Sequence, residues 1–277
     1  MIWNALLLAL REIRRSIMRS FLTILGIVIG VAAVIVMVTI GRGATAQVTE
    51  QIASLGSNLL IITPGQRMGM GQRSAAPAFD EDDVEALRRD IASIAAIAPN
   101  STGATTAVYG NENWSTSVNG TDNAFFTVGN WDLATGRRFA DNELRAGKAV
   151  CILGETVRKA LFGGQEPLGE SIRLEKLACE VIGVLAEKGQ SSRGSDQDDT
   201  IIMPLRTFQR RIAGNQEIRV LRVSIRDGAS TQKAEQDITR LLRERRHISR
   251  NEDDDFSVMD LKEIEKMLSG TTEVLTM

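Results

Sequence analysis

Histidine, aromatic residues and paired cysteines are scarce in this sequence, and each shortage closes off a class of chemistry. There is one histidine, His247, and Phe, Trp and Tyr together make up 4% of the chain. The two cysteines, Cys151 and Cys179, stand far apart in sequence. A structural zinc site takes about four nitrogen or sulfur ligands, usually as closely spaced pairs, and no such pairs occur. One histidine also leaves no obvious nucleophile–base–orienter set. The patterns GxxxxGK[ST], HExxH and GxSxG are absent, and the nearest glycine-rich run, Gly163-Gly164 followed by Pro167 and Gly169, lacks the Lys–Ser/Thr pair of a phosphate loop. No catalytic, cofactor-binding or metal-ligating residue is therefore assigned, and nothing supports an enzyme. An excess of charge is missing too: 33 Lys and Arg against 35 Asp and Glu give a net charge of −2, without the concentrated basic face that nucleic acid requires.

What is present is apolar length. Residues 21–40, FLTILGIVIGVAAVIVMVTI, contain no charge. As a helix they span about 30 Å, the thickness of a bilayer's hydrocarbon core. Arg11, Arg14, Arg15 and Arg19 precede the span against Glu12 alone, which places the N-terminus in the cytoplasm and the bulk of the chain outside. A cleaved signal peptide is the rival reading, since Ala44-Thr45-Ala46 resembles a cleavage site. Its apolar core would exceed the usual ~7–15 residues. Upstream, Trp3, Leu6, Leu7, Leu10, Ile13 and Ile17 recur at helical spacing, which fits either a helix lying on the membrane surface or a plain charged flank. Gly26 and Gly30 form a GxxxG, the spacing that lets two membrane helices approach closely. Beyond the span, Val48, Ile52 and Leu55 keep the helical period, so a stalk is expected that Gly56 ends.

A chain of 277 residues predicts one large domain or two lobes. Residues 58–63, NLLIIT, read as a strand, and 64–78 as an aperiodic loop. Asp80 is the expected N-cap of a helix, with Glu81, Asp82 and Asp83 at its positive end and Phe79 and Val84 in the positions of a hydrophobic staple. Residues 91–98 follow as a strand that Pro99 is expected to stop. The same order returns late in the chain: a strand at 219–225, a turn at Asp227-Gly228, a helix over 231–246 with Ala234, Ile238, Leu241 and Leu242 on one face, and a strand at 256–259. Strand–helix–strand twice over is the split βαβ, ferredoxin-like pattern. Its halves are separated by an insertion whose short apolar runs, among them AVCILG, SIRL, CEVIGVL and TIIMPL, predict a β-rich lobe. Cys151 and Cys179 lie in two of these runs, either as small buried side chains or as a disulfide. Asp196, Asp198 and Asp199 read as a polar loop in preference to a hard-cation site, residues 252–255 as a solvated turn without calcium-loop spacing, and His247 as a solvated helix end.

These segments also carry a family likeness. RSFLTILGIVIGVAAVIVMVTIGRGA resembles the first membrane helix of MacB-type ABC transporter permeases, and SLGSNLLIITPG the segment after it. NWDLATGRRF, AVCILG, LFGGQEPLG, VIGVLAEKGQS and DQDDTIIMPLRT then follow in the family's order. The resemblance implies an α+β chain with a cytoplasmic interfacial segment (1–20), a transmembrane helix (21–40) and a stalk (41–56). A membrane-proximal ferredoxin-like lobe (57–99 and 217–259) would carry an inserted β-rich lobe (100–216), and 260–277 would lead to a second membrane helix. It implies a permease subunit in the inner membrane, paired with itself or a related permease and lying mostly in the periplasm. It implies a separate cytoplasmic ATPase that holds the ATP and Mg, and a periplasmic adaptor and outer-membrane channel as further partners. In that setting Gly26 and Gly30 would pack helices, and Val48, Ile52 and Leu55 would pass motion to the outer domain during export or lipoprotein release. Because the family has further membrane helices and this chain stops near the second, it is read as a fragment. The alternative from another class is a single-pass sensor or binding module.

Overall fold

The structure, a computed structural model, describes residues 17–55, 58–65, 67–68, 72–73, 76–191 and 194–263. The expected surface helix upstream of residue 17, the cap at Gly56 and the exit segment beyond 263 lie outside these residues, as do the side chains of Val48, Ile52 and Leu55.

The chain divides into two compact units, the second running Thr49–Lys266. The described part of the first is helical. It belongs to α1 (Ile17–Leu55), a helix of 39 residues, of which Ile17–Ile40 is long and apolar enough to cross a membrane. Its apolar side chains are exposed around the whole circumference, for example Ile24 at 59%, Ile29 at 58% and Val34 at 62%. The two threonines in the apolar stretch do not need water. Thr23 Oγ1 donates to the Arg19 carbonyl at 2.9 Å and Thr39 Oγ1 to the Ile35 carbonyl at 2.7 Å. Both threonine hydroxyls are thus satisfied within the helix, as a hydrocarbon surrounding demands.

In the second unit, β1 (Leu59–Pro64), α2 (Glu81–Asp90), β4 (Ile94–Tyr109), β11 (Val220–Ile225), α7 (Thr231–Arg245) and β12 (Phe256–Asp260) build the ferredoxin-like lobe. Its strands lie in the order β12–β1–β11–β4, each pair antiparallel. The sequence explains each element. In β11 the residues alternate, and Leu221, Val223 and Ile225 are buried. In α7, Ala234, Ile238 and Leu242 recur every fourth residue and are buried on one face. These side chains meet Leu60, Ile62, Phe79, Val84 and Leu87 in one core between helices and sheet.

Two expectations change here. Pro99 does not stop its strand: β4 runs through it to Tyr109. Proline is tolerated because β4 changes partners beside it, pairing with β11 as far as Asn100 and with β5 (Glu112–Thr121) from Ser101. The Pro99 carbonyl accepts the Thr121 hydroxyl at 2.7 Å. The segment expected as an aperiodic loop contains a small antiparallel ladder of β2 (Arg67–Met68) and β3 (Gln72–Arg73).

The inserted lobe is a closed barrel. From the outer half of β4 the ring passes through β5, β10 (Thr200–Pro204), β7 (Val150–Leu153), β9 (Leu177–Leu185) and β8 (Ser171–Leu174), which returns to β4 at Ala107↔Leu174. The short strand β6 (Leu133–Gly136) adds to β9. Helices α3 (Ala124–Val128), α4 (Asp141–Ala146), α5 (Glu155–Phe162) and α6 (Leu205–Phe208) connect the strands, and a π-helical turn, Gln209–Ala213, follows α6. Among the described residues, Val118, Leu153, Ile172, Leu174, Ile201 and Met203 fill the barrel's core, with Val157, Leu161, Phe162 and Phe208 packed against them.

Candidate functional site

Gly26 and Gly30 lie one turn apart on α1, and a Cβ added at either would meet nothing within 4 Å among the described residues. They open a shallow strip on an otherwise bulky apolar helix, which is the surface a second helix needs. Val48, Ile52 and Leu55 occupy the backbone of the same helix, which continues past the apolar stretch without a break to Leu55.

The acidic groups singled out from the sequence serve the fold. Asp80 accepts the Asp83 amide at 2.8 Å while Asp83 accepts the Asp80 amide at 3.4 Å, a capping box on α2. Asp83 also accepts Arg245 Nε of α7 at 2.7 Å. Asp196 accepts from Thr156 Oγ1 at 2.6 Å, Asp198 from the amides of Lys188 at 3.0 Å and Gly189 at 2.7 Å, and Asp199 from the Trp114 indole at 2.9 Å. Residues 252–255 are not a plain solvated turn. Asp254 pairs with Arg243, and Asp255 lies 2.9 Å from Arg246, tying the turn to the end of α7. His247 sits exposed at that end with φ 55°. Cys151 and Cys179 are free thiols buried in the barrel interior. Burial pushes the Cys151 thiol up from its ordinary value, and the adjacent Cys179 adds to the shift. A groove of about 910 Å³ between α2 and α7 is walled by Arg89, Lys233, Arg240 and Arg245 together with Asp90 and Asp237, and neither His247 nor the two cysteines line it.

The junction between the lobes is the feature that sequence reasoning missed. On the helix side, Arg206 of α6 donates to both Glu81 oxygens of α2, at 3.1 and 3.2 Å. Leu205 beside it packs against the ferredoxin-like core. At the edge of β4, Arg88 donates to the Ile97 carbonyl at 2.8 Å and to Asp122 at 2.9 Å. Burial raises the Asp122 carboxyl above its usual range, and Arg88 opposes that shift. On the other face of the sheet, the half-buried Arg222 of β11 lies 5.8 Å from the Phe125 ring. Phe125 stacks on Trp131 at 6.1 Å, and Lys188 Nζ sits 4.2 Å above Trp131 while donating to the Gly129 carbonyl at 2.7 Å. Burial lowers the pKa of both Arg222 and Lys188. Arg88, Asp122, Arg206 and Arg222 stand far apart in sequence, so no local pattern marks them. Trp131, Lys188 and Arg206 do lie inside the segments that carry the family likeness.

A helix apolar enough to span a bilayer, joined in one chain to a ferredoxin-like sheet that carries a barrel, is the plan of a membrane-anchored outer domain. The family model of the MacB-like periplasmic core domain matches residues 20–241. The chain is 34% identical to the macrolide export ATP-binding/permease protein MacB of Wolinella succinogenes over 275 residues, covering 99% of this chain and 42% of that protein. It is 34% identical to the protein of that name from Bdellovibrio bacteriovorus, covering 94% of this chain and 40% of that one. Its fold matches the crystal structure of the periplasmic region of MacB from Actinobacillus actinomycetemcomitans with a TM-score of 0.68 at 25% identity, over 79% of this chain and 96% of that one. It also matches the extracellular domain of the noncanonic ABC-type transporter YknZ from Gram-positive bacteria, with a TM-score of 0.60 at 22% identity over 73% of this chain and all of that one. The chain belongs to the MacB-type ABC transporter permeases. It spans about two fifths of the length of those curated relatives, and the part it matches is the periplasmic core, not the ATPase.

Proposed function

We propose that this chain is the first membrane helix and periplasmic domain of a permease subunit that works by stalk-coupled motion. A cytoplasmic ATPase hydrolyses Mg·ATP. The resulting shift of the membrane helices passes along α1, and the outer domains of two subunits close and open to export or extract substrate on the periplasmic side. The N-terminus faces the cytoplasm, and the partner subunit is a second copy or a related permease, with Gly26 and Gly30 at the helix contact. A periplasmic adaptor and an outer-membrane channel complete the path. The observation that supports this reading is the helix Ile17–Leu55, which runs from the apolar span through the residues expected to form the stalk, in a chain of this family. A helix transmits displacement along its axis because its backbone hydrogen bonds make it stiff.

The test is a reversible clamp on the stalk. Val48→Cys, in the permease expressed with its ATPase, lets the stalks of two subunits be joined by oxidation. Transport is expected to stop on oxidation and to return on reduction, with ATP binding retained. Full transport in the joined state overturns the mechanism.

A further inference from the structure

We propose that the two lobes of the outer unit are locked into one rigid lever, so that motion arriving at the ferredoxin-like lobe reaches the barrel undiminished. The inference deepens the stalk-coupled reading and takes its functional meaning from it, but the rigidity itself is a property of this chain. Two connections join the lobes, the strand β4 and the passage from β10 through α6 to β11. Two covalent connections alone define a hinge axis, about which the barrel could tilt toward either face of the sheet. The structure blocks both directions.

Tilting away from the helix face would break the two-pronged contact of Arg206 with Glu81 and pull Leu205 off the core. Tilting away from the opposite face would separate Arg222 from the Phe125 ring, which stacks on the Trp131 ring that Lys188 also contacts. Rotation about β4 itself is opposed by Arg88, which holds Ile97 of β4 and Asp122 of the barrel lobe with one guanidinium nitrogen. At the point where β4 changes partners, the Ser101 hydroxyl donates to the Glu217 carbonyl at 2.6 Å and the Arg219 amide to the Asn100 carbonyl at 3.2 Å. β4 therefore has no free length at the crossing. Each polar contact taken alone is weak at a surface. Placed on opposite sides of a shared strand they act together, because no single tilt relaxes all of them.

The test places spin labels at Asn113→Cys in the barrel and Lys233→Cys on α7, both exposed, with native Cys151 and Cys179 too buried to react. The distance between labels is read by pulsed electron resonance on the whole chain in detergent. A single narrow distance is expected, and a broad or two-peaked distribution overturns the proposal. Glu81→Ala, Arg88→Ala and Arg222→Ala combined are expected to lose the narrow peak. If it persists in the folded triple variant, these contacts are not the lock. Should the triple variant fail to fold, Glu81→Arg is expected to broaden the peak and Glu81→Arg with Arg206→Glu to restore it; no broadening in the single variant also removes the assignment. Because these distances are measured without transport, failure of the stalk clamp experiment leaves this result readable on its own.

Discussion

Two residues show how much of this fold rests on single atoms. Gly154 has an unremarkable φ of −74°. Its constraint is space, since a Cβ there would fall 2.1 Å from the Asp198 carbonyl oxygen. Asp198 cannot yield, because its buried carboxylate is held by the Lys188 and Gly189 amides. Gly154→Ala is expected to destabilise the outer unit by about 1–3 kcal/mol, the usual range for overpacking, read as a lower urea midpoint at constant slope. Glu143 illustrates the electrostatic side. The Arg137 guanidinium grips both its oxygens at 2.8 Å, and the Ala140 amide adds a third bond at 2.9 Å. Together, with Arg137 the larger influence, they lower its pKa to about 2 from 4.5. A carboxyl depressed in the folded state contributes stability that is full above the unfolded value and lost as pH falls through the folded one. The melting temperature of the parent should therefore fall toward that of Glu143→Gln between pH 4.5 and pH 2. A gap between the two proteins that stays constant over this window would show that the ion pair contributes nothing.

Among the elements, α2 and β4 are opposite cases. The start of α2 is legible in sequence, because Asp80, Asp83, Phe79 and Val84 are local and their roles depend on spacing alone. Asp80→Ala is expected to cost about 1 kcal/mol, as N-cap losses do. Asp83→Ala should cost more, because it also releases Arg245. Equal losses in chemical denaturation would show that the contact between α2 and α7 carries no weight. The course of β4 is not legible. A proline ends a strand only where its missing N–H is needed, and whether it is needed depends on which strand lies alongside. Here the partner changes at that residue, which only the folded chain decides.

For the whole molecule, the question is whether α1 pairs. A Cβ at Gly26 or Gly30 meets nothing within 4 Å among the described residues, and leucine is a better helix former than glycine by up to about 1 kcal/mol. The single helix should therefore tolerate Gly26→Leu and Gly30→Leu. Reduced chemical cross-linking of the permease in membranes, with unchanged expression, is the expected result and would be due to the helix contact. Unchanged cross-linking in both variants would remove these glycines from it. Arg246 presents the same logic inside the outer unit. It lies 4.6 Å from the Phe79 ring, donates to the Pro77 and Ala78 carbonyls and approaches Asp255, so it joins the first βαβ half to the second. Arg246→Met is expected to cost about 1–3 kcal/mol, read as a lower urea midpoint, since it removes the donor to the Pro77 and Ala78 carbonyls and the partner of the half-buried Asp255.

Local order and period made the apolar helix, the repeated strand–helix–strand plan and the order of the family segments readable from sequence, because each depends on neighbours within a few residues. The closure of the barrel by β8, the passage of β4 through Pro99 and the latches at Arg88, Arg206 and Arg222 were decided only by the tertiary structure. They join residues brought together across long stretches of chain, such as Glu81 and Arg206, and pairing at that range follows from which surfaces meet when the sheet closes, not from any local pattern.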